Sequence, residues 1–445
     1  LAWIAFVPLF FAISNQKPIA AFLFGWTAGL VYFSGTLFWV TISMTEYGGL
    51  SWPASVSVMW LLVMYLALYV GFFAALVQYC AKGDEKDLLF FTPVLWVVLE
   101  WIKGHFLTGF PWASLAYSQT GFLPVIQIAD FGSIYSVGFV MVLFNRAVYL
   151  MLKQGLHQGV HLREMRWKPL LIGVSVLLLT LLYGVFRLSR PSGDEKKLTV
   201  SVIQGNIAQD QKWDRVYQDQ TIKTYERLSL SILETSSPKP SLIVWPEAAL
   251  PFIFSTEPGY EKMLHDLVRE HKLNLLFGAP SMKMEPSGEI ALLNSAYLLS
   301  PGKQTVSRYD KMHLVPFGEY VPFSEVLFFI QKLVEGVGRF VPGQAAVVFE
   351  IEGVKIGTVI CFEVIFPELV RRFVKNGAVF MSTITNDAWF ADSSAPYQHF
   401  SMVVFRAIEN RVPFVRAANT GISGFVDAQG RILWATGLFV EAAAT

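Results

Sequence analysis

The stretch Val359-Ile360-Cys361-Phe362-Glu363-Val364 decides the fold of the C-terminal half. Residues 355–360 form a short apolar run that reads as a buried strand, and residues 364–375 follow it with helical spacing. The thiol of Cys361 falls at the elbow between the two. Such an elbow exposes one side chain at the end of a sheet, where a nucleophile can be reached. Cysteines are scarce: Cys80 and Cys361 are the two in 445 residues, too few for a disulfide framework. Two further segments carry groups a reactive thiol requires. Val244-Trp245-Pro246-Glu247 ends another apolar strand on a carboxylate, and Tyr309-Asp310-Lys311-Met312-His313 sets a lysine in a polar cluster. A base, a cation and a thiol in this order point to covalent acyl chemistry.

Outward from these motifs, strand-like runs fall at 198–204, 241–245, 274–279, 294–300, 355–360, 378–384, 413–417 and 423–427. Helix-like runs fall at 215–236, 258–271, 364–375 and 396–411. Strands interleaved with helices predict an α/β domain. A polar linker, 190–198, precedes it.

The first half is of another kind. Residues 1–16, 18–45 and 47–81 carry no charge, and the whole chain is 53% hydrophobic. Since about 20 apolar residues cross a bilayer, six spans are predicted, near 1–14, 19–43, 53–80, 88–106, 132–152 and 168–188. The chain starts within an apolar stretch and stops soon after a strand-like one, so an element is expected to be missing at each end. Alternate loops hold Lys17, Lys82, Lys86, Lys153, Arg163, Arg166 and Lys168 on one side, and Lys103 alone on the other. By the positive-inside rule the first set is cytoplasmic, which puts the α/β domain outside, in a bacterium the periplasm. A net charge of +1 with no basic block excludes nucleic acid as a partner.

Taken singly, each candidate has an ordinary reading. Glu247 is an acid at a strand end, yet apolar neighbours on both sides, Ala248 to Leu250, would desolvate it and suit it to act as a base. Lys311 lies before a Pro- and Gly-bearing loop, from which its cation would stabilise an oxyanion, and Glu319 is placed to hold it. Glu363 is a partner or a structural acid. Asn386 lies in a turn, Asn386-Asp387-Ala388-Trp389-Phe390, that braces the site. His313 and His399 have no ligand spacing with a second His or Cys, so no metal is expected. Glu100 is either an intramembrane charge or an interfacial one.

Together the motifs Trp245-Pro246-Glu247, Lys311 with Pro316-Phe317-Gly318-Glu319, and Ile360-Cys361-Phe362-Glu363 resemble the nitrilase (carbon–nitrogen hydrolase) superfamily over residues 198–435. With the membrane half in front, the whole chain resembles the apolipoprotein N-acyltransferase family. Thr108-Gly109-Phe110-Pro111-Trp112, Gln204-Gly205-Asn206, the segment His313–Glu319, Thr385–Phe390 and Gln398-His399-Phe400 carry that likeness. Two departures stand out: the family has eight spans, and the residue after its nucleophile is often Tyr where this chain has Phe362.

The resemblance implies a transmembrane helical domain over 1–189, followed over 190–445 by an extracytoplasmic αββα sandwich with a Glu247–Lys311–Cys361 triad. Glu319, Glu363 and Asn386 would support the triad, and Phe110, Trp112, Trp213, Phe362 and Phe390 would bind substrate. It further implies a monomer in the bacterial inner membrane, without cofactor. That enzyme would move an acyl chain from a phospholipid, through a Cys361 thioester, to the α-amine of a diacylglyceryl-cysteine apolipoprotein. A membrane-tethered amidase or nitrilase acting on small amides is the alternative enzyme. A transporter with a ligand-binding outer domain is disfavoured because the spans are nearly free of charge.

Overall fold

The computed structural model describes residues 1–81, 88–158, 167–190, 198–286, 288–303, 305–320 and 340–445. It divides into two compact units: Leu1–Thr41 with Ser51–Pro191, and Ile42–Leu50 with Ser192–Thr445.

The first unit is helical. Five of its helices among the described residues are long and apolar enough to cross a membrane: Pro18–Leu37, Trp52–Cys80, Leu88–Thr108, Ala129–Gly155 and Lys168–Ser189. A shorter apolar helix, Ala2–Ile13, takes the place of the first predicted span. The second predicted span, 19–43, is also cut back. Its helix ends at Leu37, Trp39–Ile42 adds one turn, and a π-helical turn over Ser43–Tyr47 belongs to the other unit. Of the loop cations used for orientation, Lys82, Lys86, Arg163 and Arg166 lie outside the described residues, as do residues 191–197 of the linker.

Packing here follows small residues. A Cβ at Gly25 would come within 2.6 Å of Ala74 Cβ, and one at Gly29 within 2.8 Å of Ala67 Cα. The Gly-x-x-x-Gly spacing thus lets the second and third helical stretches touch backbone to backbone, the usual device where no hydrophobic effect drives association. Leu171, Leu178, Leu179 and Leu182 of the last helix point outward, as suits lipid-facing positions. Glu100 is paired within its own helix: its Oε1 lies 2.7 Å from Nζ of the buried Lys103.

The second unit contains two six-stranded sheets. The first sheet has the order β12-β1-β2-β3-β4-β5, with β1 Val200–Gln204, β2 Leu242–Val244, β3 Asn274–Met284, β4 Ile290–Leu299, β5 Ser307–Asp310 and β12 Ala442–Ala444. The second has the order β11-β10-β9-β8-β7-β6, with β6 Val348–Ile351, β7 Val354–Ile360, β8 Phe380–Thr385, β9 Phe414–Ala418, β10 Gly424–Val426 and β11 Ile432–Ala435. Each sheet has a parallel trio, β1-β2-β3 and β7-β8-β9, extended by antiparallel strands. Crossover helices Gln218–Thr235 and Pro258–His271 serve the first trio, Pro367–Lys375 and Ala395–Asn410 the second. The result is an αββα sandwich. Asn206 N–H donates to Asn419 O at 3.0 Å, and Ser423 Oγ donates to Gln204 Oε1 at 2.6 Å, which ties the ends of β1 and β9 together.

The central strands are buried because both faces are covered, and they are mostly apolar; every residue of β1, β2 and β9 is buried. Gln218–Thr235 is amphipathic: Ile222, Tyr225, Leu228, Ser229, Ile232 and Leu233 recur at helical spacing and are buried. Tyr225 stacks on Trp245 with centroids 5.2 Å apart, and Trp245 Nε1 donates to Ser229 Oγ at 2.9 Å. Trp245, two residues before Glu247, is thus locked into the core. Glu247, Cys361 and Asn386 all leave the carboxyl ends of parallel strands, where open α/β sheets place their ligand sites.

Candidate active site

Cys361 begins a 3-10 turn, Cys361–Ile365, immediately after β7. Its φ is +52°, a left-handed conformation that costs a non-glycine residue about 1–3 kcal/mol and persists only where surroundings enforce it. The thiol is buried and hydrogen-bonded to the Thr385 side chain. Burial, and then the Glu247 carboxylate, push its pKa well above the ordinary thiol value, with Lys311 opposing. At neutral pH it is a thiol, not a thiolate, and attack requires a base.

The Glu247 carboxylate is the acid that most raises the thiol pKa. Its Oε2 accepts from Asn386 N–H at 3.0 Å and its Oε1 from Asn294 Nδ2 at 2.8 Å. Lys311 Nζ lies 3.5 Å from Oε1. The Glu247 backbone runs against β3 at Gly278, where a Cβ would sit 2.5 Å from Ala248 N and 2.7 Å from Glu247 Cα. Glycine is therefore required there for the carboxylate to reach its position.

Lys311 follows β5, and its N–H donates to Asn294 O at 2.8 Å. Its ammonium is buried between two acids, 2.9 Å from Glu319 Oε2 as well as 3.5 Å from Glu247. Burial pulls its pKa down, but Glu319 and Glu247 outweigh that and hold it above the ordinary lysine value. It is a fixed cation. Glu319 is itself fixed by Val315 N–H at 2.8 Å and by Asn294 Nδ2 at 2.8 Å.

Glu363 has a different task. Its Oε1 accepts from Tyr309 Oη at 2.7 Å, Met312 N–H at 2.7 Å and His313 N–H at 3.1 Å, while Oε2 accepts from Ile360 N–H at 2.7 Å. One buried carboxyl thus ties the cysteine elbow to the lysine loop. Burial pushes it up to about 7 against these donors.

Asn386 contributes its backbone N–H to Glu247, and its side chain bridges Gln209 Oε1 at 2.7 Å and Asn419 Nδ2 at 3.1 Å. Phe362 packs edge-on against Phe366 at 5.3 Å and near His313 at 5.9 Å. Phe390 meets His399 edge-on at 6.1 Å, while Trp213 is exposed. The Ser43–Tyr47 turn joins here: Ser43 Oγ donates to Trp389 O at 2.6 Å, and Tyr47 meets the Trp389 ring at 5.6 Å. Phe110 and Trp112 belong to the helical unit, where Trp112 is buried against Trp39 at 4.9 Å and Phe110 stacks on it at 6.2 Å.

Three groups escaped sequence reasoning. Asn294 sits inside β4, with nothing local to mark it. Lys212 is buried beneath Glu247, donating to its carbonyl at 3.0 Å, and burial lowers its pKa to about 8 against the pull of Glu247 and Cys361. Thr385 opens the Thr385–Phe390 motif, but nothing local marks its contact with the Cys361 thiol.

Residues 1–147 match the apolipoprotein N-acyltransferase N-terminal domain, and residues 199–443 match the carbon-nitrogen hydrolase family. An apolipoprotein N-acyltransferase of Geobacter metallireducens is 46% identical over 99% of this chain and 84% of its own length. The enzyme of the same name from Haemophilus influenzae is 33% identical over 100% of this chain and 84% of its own. Among solved structures, an amidase from Nesterenkonia sp. is 19% identical, covers 57% of this chain and 92% of its own, and has a TM-score of 0.41.

Proposed function

Because the chain belongs to the apolipoprotein N-acyltransferase family, we propose that Cys361 carries an acyl chain from a membrane phospholipid to the α-amine of an S-diacylglyceryl-cysteine apolipoprotein. The observation that carries this reading is the convergence of Glu247, Lys311 and the left-handed Cys361 at the strand ends of one sandwich.

Glu247 takes the Cys361 proton as sulfur attacks the ester carbonyl of the phospholipid. The carbonyl π electrons move onto oxygen, and Lys311 with a backbone N–H stabilises that oxyanion. The oxyanion collapses, the ester C–O bond breaks, and Glu247 returns its proton to the departing lysophospholipid. An acyl-thioester remains. The acceptor amine then attacks the thioester carbonyl, the C–S bond breaks, and the amine proton passes through Glu247 to the thiolate. A thioester is more reactive toward an amine than the ester it came from, so two moderate barriers replace one high one.

The test uses the full chain in detergent–phospholipid micelles with a chain-labelled donor and a synthetic diacylglyceryl-cysteine peptide. The label is expected on the peptide amine, with equimolar lysophospholipid released. Labelled free fatty acid with no labelled peptide would instead support hydrolysis of the amidase kind.

The loop charges support an orientation with the catalytic unit in the periplasm of the inner membrane. In a Cys80→Ala background, Ser192→Cys is expected to react with a membrane-impermeant maleimide in spheroplasts, and Gly159→Cys only after lysis. The opposite labelling would overturn this orientation.

A further inference from the structure

One buried array in the second unit has no part in the chemistry above. His399 lies fully buried on the helix Ala395–Asn410, with Nε2 3.2 Å from the carbonyl oxygen of Cys361. A carbonyl only accepts, so Nε2 carries a proton. Burial, and then the neighbouring Arg416 guanidinium, hold His399 below the ordinary histidine pKa, with Asp387 opposing. Its Nδ1 lies between Arg416 Nη2 at 3.0 Å and Asp387 Oδ1 at 3.1 Å. The same Nη2 donates to Asp387 Oδ2 at 2.6 Å, and Thr385 Oγ1 donates to Asp387 Oδ1 at 3.0 Å. Arg416 and Asp387 are both fully buried, so the ring is held in its direction by a buried ion pair.

The carbonyl that His399 grips belongs to the peptide joining Cys361 to Phe362. That unit is planar and trans, so its N–H points away from its carbonyl. Phe362 N–H lies in the first turn of the 3-10 helix, where amides have no partner within the helix, and it finds no acceptor among the described residues. With His399 on one side, this free donor is aimed to the opposite side.

We propose that His399 is a positioning residue for acyl transfer: by donating to the Cys361 carbonyl it fixes the elbow peptide and aims Phe362 N–H at the oxyanion. The inference rests on the thioester reading above. It gives the Asn386-Asp387 and Gln398-His399 motifs one shared purpose, and it accounts for how a left-handed nucleophile is held without a glycine.

Three variants of the full-length protein in phospholipid micelles test it. His399→Gln keeps a donor at about the reach of Nε2, His399→Asn stops short of it, and His399→Met has none. Acyl-enzyme formation is followed by intact mass, and thiol attack on iodoacetamide is followed alongside. Alkylation displaces iodide and builds no oxyanion. Loss of one oxyanion donor typically costs about 10²–10³-fold. The Asn and Met variants are therefore expected to acylate at least about 10²-fold more slowly at unchanged phospholipid KM, with alkylation within about threefold of the parent and Gln recovering most of the acylation rate. Equal acylation by Gln and Asn overturns the proposal. So does a parallel fall in acylation and alkylation, which marks His399 as a packing residue. Should the Met variant not fold, the Gln–Asn comparison decides. A parent protein that forms no hydroxylamine-labile acyl-enzyme would defeat the thioester reading itself, a result distinct from failure of the variants.

Discussion

Cys361→Ala is expected to leave no acyl-enzyme and to lower acyl transfer by about 10⁴-fold or more, the scale seen when a covalent enzyme loses its nucleophile. Intact mass after incubation with phospholipid reads the result directly. The parent gains one fatty acyl chain that hydroxylamine removes, and the variant gains none. The substitution deletes a single buried sulfur, so the fold has little reason to respond. Cys80 is the internal control: it is exposed at the end of its helix, and Cys80→Ala is expected to transfer at the parental rate. Transfer by Cys361→Ala at more than a hundredth of the parental rate would mean direct attack of the amine on the ester.

Glu247→Gln should cost about 10²–10⁴ in acylation at pH 7, the range general-base catalysis supplies. The pH dependence is the more telling part. Burial, and then Glu247, raise the pKa of Cys361. Removing the carboxylate relieves part of that rise, but burial remains, and below its pKa the thiolate fraction grows about tenfold per pH unit. The variant is thus expected to gain rate steeply from pH 7 to 9, while the parent, whose proton transfer runs through the carboxylate, gains less. A variant within tenfold of the parent and with the same pH dependence would remove Glu247 from proton transfer. Glu247 accepts from Asn386 N–H and from Asn294 Nδ2 on different oxygens, so Gln, with one oxygen, keeps one of these two bonds.

Much of this arrangement was legible because strong local signals coincided. The central strands are mostly apolar on both faces, so β1, β2, β7 and β8 announce themselves, and each motif falls at a strand end. The family likeness then led to the acyl-transfer function that the relatives share. What sequence missed is short or half-exposed. β5, β6 and β11 are four-residue edge strands with exposed positions, and their pairing is set by neighbours rather than by their own pattern. Glu319 was read as a partner for Lys311, and the two lie 2.9 Å apart. Glu363 reads from sequence as a partner or a structural acid, because its four donors come from two segments that only the fold brings together. Asn294 and His399 share that reason: their partners lie far away in the chain, so no spacing rule reaches them.

The short turn Ser43–Tyr47 has a bearing on how this protein comes to exist. It belongs to the catalytic unit, yet the chain emits it about 340 residues before Trp389, the residue it grips, with the remaining spans made in between. Domains generally mature in order of synthesis, but this one has to wait for the spans that follow its first piece. A fragment begun at the linker would be born without that piece, however well its two sheets formed. The contact between this turn and Trp389 therefore forms only after every span between them has been made.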